Sequence, residues 1–484
     1  MASTAVSSAA RAISSRPRVV VVGTGWAGFR FARSVDRHHF DVVVVSPRDH
    51  FIFTPLLAST TVGTVEFRAI IEPIRILSEL KYYEAEVAAI DLKDKTVRCV
   101  DSTVLFGQDE PHRKFTVNYD YLVLAAGARS QTFSIPGVEQ HAMFLKQVGD
   151  ARKIRQRIVH VFERACQPGI SEEERRNLLS FVVVGGGPTS IEFASELYDF
   201  VQEDVTRWYG PTLAAEVRVA VLEAGKNILG SFDRKLADYT TKLFKQRNIE
   251  VFTEAKVKRV LKEGVELEDG STIKASLIVW STGVAPIPLI KNMDCPKDAR
   301  SGRILVDGHL RVSSLTGVFA LGDCAVNKEE PLPCTAQVAQ QQGKYLADLF
   351  NNSKLAPQIL EPNNADAKPF KYHHLAMLAY VGGWNAIADI KNFAATGFGT
   401  WLFWRSAYWT KNVSIRNKIL IPMYWFICDI DRHRFDFVVV SSRDHFVFTP
   451  LLSPTTLGTN AYEAIIEPVR KLSNITFMKL KSLM

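Results

Sequence analysis

Two glycine turns in this chain have the spacing that holds a pyrophosphate. The first, Gly23-Thr-Gly25-Trp-Ala-Gly28, follows the β-branched run Arg18–Val22 and opens a helical stretch to about Asp36. In such a turn the first glycine makes the tight bend and the second lets backbone N–H groups approach phosphate. The third lets helix pack on strand, and the helix N-terminus adds partial positive charge. The motif carries weight because a strand precedes it and a helix follows. The next strand, Asp41–Val45, should end in an acid for the ribose hydroxyls, yet it runs into Ser46-Pro-Arg48. The ribose then falls to Ser46 or to Asp49 reaching back. The second turn, Gly185-Gly-Gly187-Pro188-Thr189-Ser190, follows Phe181–Val184 and has serine at the third glycine position, which should loosen packing slightly. Its partner strand, Val217–Glu223, does end in an acid. A carboxylate there accepts both ribose hydroxyls and repels a 2′-phosphate, favouring NADH over NADPH. The interval from Gly185 to Glu223 is 38 residues, and a long helix from Pro188 toward Trp208 fills it.

Two dinucleotide sites in one chain imply a relay rather than a single dehydrogenation. Tyr121–Gly127 and Leu277–Gly283 are apolar strands ending in small residues, returns that bring Ala126, Gly127 and Gly283 close to a cofactor. Val318–Asp323 offers a strand, Gly322 and the Asp323 carboxylate, suited to a sugar-alcohol chain. Gln337 and Gln341 stand four apart and share one face if helical. The six cysteines are scattered without a Cys-x-x-Cys pair, which argues against a disulfide scaffold, a zinc site of the usual spacing and a redox dithiol. No metal site is expected.

The elements that position these residues belong to a chain of 484 residues, enough for two to four domains at about 100–200 residues each. At 47% hydrophobic and 23% charged it has the make-up of a folded protein. No apolar run approaches the roughly 18 residues that span a bilayer; Ile419–Ile427 comes nearest. A transmembrane carrier or pump is excluded. The net charge of +8 suits anionic membrane surfaces, while no basic run or motif suggests nucleic acid. Residues 1–35 lack any acid and hold Arg11, Arg16 and Arg18 among Ser and Ala, the composition of a mitochondrial presequence, placed at 1–16. Residues 36–80 recur at 431–475 with 30 identities in 45 positions. The copy has the second strand of a nucleotide unit without its first strand or glycine turn, so 429–484 is expected to be non-functional.

Taken with Ser46-Pro-Arg48-Asp-His-Phe-Ile-Phe-Thr54-Pro55-Leu56-Leu57, Gly185–Glu192, Leu321-Gly-Asp323 and Thr335-Ala-Gln337-Val-Ala-Gln-Gln341, these motifs make the chain resemble the type II (alternative) NADH:ubiquinone oxidoreductases of mitochondria over roughly 17–426. The resemblance implies an α/β fold of two Rossmann-like domains, for FAD and NADH, with a C-terminal membrane-associating segment. It gives an FAD domain at 17–135 and 291–370, an inserted NADH domain at 136–290, and the membrane segment at 371–428. By resemblance the first turn (Gly23, Gly25, Gly28), with Ser46 and Arg48, holds FAD, and the second (Gly185, Gly187, Pro188, Thr189), with Glu223, holds NADH. Thr54, Pro55 and Leu56 lie by the flavin ring, Asp323 by the ribitol, and Glu192 by the nicotinamide–flavin contact. Gln337 and Gln341 face a ubiquinone carbonyl.

The resemblance further implies a peripheral protein of the mitochondrial inner membrane, meeting its lipid surface, working as a homodimer and pumping no protons. Residues 391–428 contain no acid, five basic residues and four of the eight tryptophans, a composition suited to a lipid interface. A helical wheel over 401–411 places Arg405 inside the apolar arc, and Pro422 interrupts the next stretch. The chain departs from the family at His373-His374, where members often read Lys-Asp, and only a short link joins Asp323 to Ala336, with no calcium loop. Rival readings are a sulfide:quinone reductase, for which Cys334 speaks, and an NADH-binding flavoprotein of the apoptosis-factor type.

Overall fold

In the computed structural model, residues 16–103, 113–353, 360, 368–391, 393–429, 445–447 and 466–468 are described. The chain divides into two compact units, residues 1–52, 72–129 and 284–373 in one and 53–71, 130–283 and 374–484 in the other.

The first unit is built on a seven-stranded sheet. Its parallel part runs in the order Val318–Ala320, Tyr121–Leu124, Arg18–Val22, Asp41–Ser46 and Lys81–Asp91. Thr96–Asp101 and Lys114–Asn118 extend it antiparallel. Val19–Val22 and Val42–Val45 are all buried. That is why these strands read as unbroken valine runs, since a parallel sheet is covered on both faces. Helix Trp26–Ser34 packs along helix Ala336–Asn352. The late strand Val318–Ala320 pairs with Tyr121–Leu124, which returns Gly322 and Asp323 to the sheet that carries the first glycine turn.

The second unit has a five-stranded parallel sheet in the order Met143–Phe144, Leu277–Trp280, Ser180–Val184, Arg218–Leu222 and Ile249–Phe252. Its core closes around the buried Trp280, whose indole N–H donates to the Gln131 carbonyl at 2.9 Å. Between the glycine turn and Arg218 the chain is helical over Pro188–Phe200, a π turn at Val201–Val205, and Thr206–Tyr209. This is the long helix that the 38-residue interval requires. It stops at Gly210, where φ is +92°.

Segment 53–71 packs within this second unit. Phe53 N–H donates to Ile70 O at 2.7 Å, and Glu66 pairs with Arg155 at 3.1 Å. Arg416 and Asn417 both donate to Ile71 O, at 3.2 and 3.0 Å. An antiparallel sheet of Met377–Gly382, Asn385–Ile390 and Phe393–Gly397 leads into helices Phe398–Lys411 and Ile415–Asp429. Among the described residues no helix is long and apolar enough to cross a membrane. Of the C-terminal repeat, His445–Val447 and Ile466–Pro468 pair antiparallel; they copy the strands His50–Ile52 and Ile71–Pro73. The rest of 430–484, and the presequence apart from Arg16, lie outside the described residues.

Candidate active site

The first unit carries the first glycine turn. Gly23 sits at φ +106°, and a Cβ there would strike the Ala125 carbonyl, so only glycine fits. Gly25 and Gly127 face open space, which leaves room for a phosphate and a ring edge to approach the backbone, and Gly28 closes against Gly23. Thr24 ties the turn to the next strand: its hydroxyl and that of Ser46 are 2.9 Å apart, and Arg48 N–H donates to Ser46 Oγ at 3.2 Å. Ser46 is buried in this knot. Asp49 has one carboxylate oxygen, Oδ1, on His50 Nδ1 at 2.6 Å.

Asp323 lies in the 3-10 turn Gly322–Cys324 at the end of its strand. The buried Gln342 holds this turn from the facing helix, accepting Gly322 N–H at 2.7 Å. Cys324 behind it is locked: its thiol donates to the Leu124 and Leu321 carbonyls, and burial pushes it up to about 11. On the same helix, Gln337 and Gln341 both meet residues 372–373. Gln341 Nε2 donates to His373 O at 2.8 Å while His373 N–H donates to Gln341 Oε1 at 3.0 Å. The Tyr372 hydroxyl donates to Gln337 Oε1 at 3.5 Å. An amide has two N–H groups and two acceptor lone pairs, so these two bonds use half the capacity of Gln341.

In the second unit Gly185 repeats the role of Gly23, at φ +111° against the Ser281 carbonyl, and Gly187 faces open space. Pro188 and Thr189 are the exposed first residues of the helix. Ser190 is fully buried, with its hydroxyl directed at Ser281 O at 3.4 Å; it takes the third glycine's place by bonding the strand end rather than leaving a gap. The Glu223 carboxylate is held at both oxygens, Gly186 N–H donating to Oε2 at 2.6 Å and Gly225 N–H to Oε1 at 2.5 Å. The acid is thereby fixed beside the glycine turn, with lone pairs left for ribose hydroxyls. Gly283 follows Leu277–Trp280 and accepts Gln131 N–H at 3.4 Å. Thr54, Pro55 and Leu56 form one 3-10 turn, with Leu56 buried and Thr54 exposed.

Helix Pro188–Phe200 also carries a row of acids, Glu192, Glu196 and Asp199, on one face. Burial pushes Glu192 up to about 8, with Glu196 adding to the rise and Tyr380 N–H, at 3.3 Å, opposing it. Glu196 is pushed to about 7 by burial, against the Ser59 and Thr64 hydroxyls that donate to it at 2.6 and 2.7 Å. Glu192 was singled out from the sequence. Glu196, Asp199, Tyr380 and Gln342 were not, although the four- and three-residue spacing of the acids was there to be read.

These residues fit two dinucleotides: Gly25 and Gly187 each leave open approach at a helix start, and an acid stands ready at Glu223. The comparisons with known proteins agree. Residues 17–343 match the pyridine nucleotide-disulphide oxidoreductase family, and residues 374–431 match the NDH2 C-terminal domain. A probable NADH dehydrogenase of Dictyostelium discoideum is 44% identical over 84% of this chain and 88% of its own. An internal alternative NAD(P)H-ubiquinone oxidoreductase, mitochondrial, of Solanum tuberosum is 41% identical over 85% and 86%. The solved NDH2 of Plasmodium falciparum, in complex with NADH, superimposes with a TM-score of 0.78 at 25% identity, over 85% of this chain and 98% of its own. With two glycine turns on two parallel sheets and relatives matched along nearly their whole length, the chain belongs to the type II, alternative NADH:quinone oxidoreductase family.

Proposed function

We propose that this chain oxidises NADH through bound FAD and reduces ubiquinone by two electrons, at the surface of the mitochondrial inner membrane and without pumping protons. The observation that carries this reading is the pair of glycine turns, each opening a helix on its own parallel sheet, of which only the second meets a strand-end carboxylate, Glu223. When bound, FAD supplies a two-electron carrier between hydride donor and quinone. Gly23, Gly25 and Gly28 cradle its pyrophosphate, with Ser46 and Arg48 at the ribose end. Ala126, Gly127, Thr54, Pro55 and Leu56 lie along the ring, and Asp323 takes the ribitol hydroxyls.

Gly185, Gly187, Pro188 and Thr189 receive the NADH pyrophosphate, Glu223 its ribose hydroxyls, and Glu192 and Gly283 border the nicotinamide. Amide N–H groups of Gln337 and Gln341 donate to a quinone oxygen. The balance is one NADH, one proton from solvent and one quinone, giving NAD⁺ and quinol.

Membrane contact is read from Phe398, Leu402, Phe403, Ile415, Ile419 and Phe426, large apolar side chains left exposed on the last two helices, in a stretch whose only charges are basic. Trp and cations together favour the headgroup region. The mitochondrial names of relatives support the compartment. A homodimer completes the reading by resemblance, and sedimentation tests it. The decisive experiment is NADH oxidation by the purified protein with and without a short-chain ubiquinone. Turnover should depend on the quinone, while quinone-independent turnover, or sulfide as the better donor, overturns the reading.

A further inference from the structure

The row of acids on helix Pro188–Phe200 is used above only at Glu192. Glu196, four residues on, is 4% exposed, and both its oxygens meet hydroxyl groups, Ser59 Oγ at 2.6 Å and Thr64 Oγ1 at 2.7 Å. Hydroxyl donors at both oxygens favour a carboxylate. The surroundings of Glu192 are poorer: a long bond from Tyr380 N–H at 3.3 Å, and the buried Trp404 indole N–H, turned toward it without closing a full hydrogen bond. Two carboxyls one helical turn apart in a dry setting do not both ionise readily.

We propose that Glu196 is a positioning residue for Glu192: because Ser59 and Thr64 favour its carboxylate, Glu196 ionises first and, on top of burial, holds back the ionisation of Glu192. Among the groups facing the pair, Arg405 supports this division of charge and Asp199 opposes it, both with less effect than the Ser59 and Thr64 hydroxyls. From helix Phe398–Lys411, Arg405 faces Glu196 and favours its charge, while Tyr408 faces Glu192. From strand Met377–Gly382, Tyr380 donates its hydroxyl to Asp199 at 2.5 Å. Asp199, on the same helix, also accepts Gly383 N–H at 2.9 Å, faces Arg247, and adds negative charge near Glu196. Glu192 is the more strongly raised of the two glutamates, about 8 against about 7.

The consequence for the nucleotide rests on the function proposed above. Glu192 lies five residues beyond Gly187, on the helix that receives the dinucleotide. A neutral carboxyl adds no charge there, whereas a carboxylate favours NAD⁺, with its cationic ring, over NADH. Glu196 thus biases the site toward its reduced substrate.

The test is an infrared titration of the full-length, FAD-loaded protein, following the protonated-carboxyl band in wild type and in Glu196→Gln. The Glu192 midpoint should fall by about one pH unit or more, and Kd(NADH)/Kd(NAD⁺) at pH 7 should rise several-fold. A midpoint that stays in place overturns the proposal, because a merely structural Glu196 would lower stability on replacement without moving it. Should Glu196→Gln not fold, Glu192→Gln serves instead: it must remove the upper of the two steps and leave the Glu196 step in place, because Glu192 is neutral while Glu196 titrates. A Glu196 step that falls would mean that Glu192 carries charge there, and overturns the proposal. The titration needs neither turnover nor quinone, so its outcome and that of the activity assay are independent.

Discussion

At the residue scale, the two ribose positions differ in a way that predicts selectivity. Glu223 presents a carboxylate already anchored by two backbone N–H groups, so its charge stays put when a nucleotide arrives. Replacing it with glutamine keeps the shape and removes the repulsion toward a 2′-phosphate. The ratio of kcat/KM for NADPH to that for NADH should rise by about tenfold, on the order of 1.4 kcal/mol; an unchanged ratio would mean that Glu223 does not face the ribose. Gln337 and Gln341 make a second test. Changing both to alanine should raise quinone KM or lower quinone-dependent kcat by up to about tenfold per lost bond, each worth about 0.5–1.5 kcal/mol. Reduction of the bound flavin by NADH, followed in stopped flow, should hardly change. The two bonds between Gln341 and His373 add a control. If the double variant slows both half-reactions equally and melts early, the glutamines hold residues 372–373 in place rather than the quinone.

At the element scale, both glycine turns, the helix that spans 188–209 and the valine-rich strands were legible in the sequence, because buried parallel strands and phosphate turns leave continuous local patterns. Arg405 was not. On a wheel it spoils an apolar face, yet the structure stacks its guanidinium on Trp401 at 4.0 Å and Trp425 at 4.8 Å, facing buried Glu196. A charge that belongs to a core cannot be told from a surface charge by periodicity. The same holds for Ser59 and Thr64, whose partner is more than 130 positions away. The buried acids also set how stability depends on pH. Glu192 and Glu196 are raised from 4.5 to about 8 and about 7, so the folded protein binds more protons than the unfolded chain between about pH 4.5 and 8. Stability must therefore fall as pH rises through that window. The unfolding temperature of the wild type should drop from pH 5.5 to pH 8 more steeply than that of Glu192→Gln, and parallel slopes would contradict the raised values.

At the scale of the whole molecule, the C-terminal copy of 36–80 is the part that neither chemistry nor packing explains. In its first occurrence this stretch works because Asp41–Ser46 lies between Arg18–Val22 and Lys81–Asp91 in a continuous parallel sheet, with the Gly23 turn beside its C-terminal end. The copy begins at Asp431, where the match to the NDH2 C-terminal domain stops, and brings neither flanking strand nor glycine turn. A strand of a parallel sheet needs partners on both edges and cover on both faces, so the copy has no means of building a second phosphate site. Among its described residues it forms only a three-residue pair, His445–Val447 with Ile466–Pro468, too short to be stable alone. Deleting 432–484, which keeps the helix Ile415–Asp429 entire, should leave FAD content, NADH:quinone turnover and flotation with cardiolipin-containing vesicles within about twofold of the full chain, as expected for a copy that brings no glycine turn of its own. The measurement is informative in either direction because the three readouts separate the parts. Loss of flavin would mean that the copy supports the first sheet, and loss of flotation alone would assign it to the membrane face built by the last two helices.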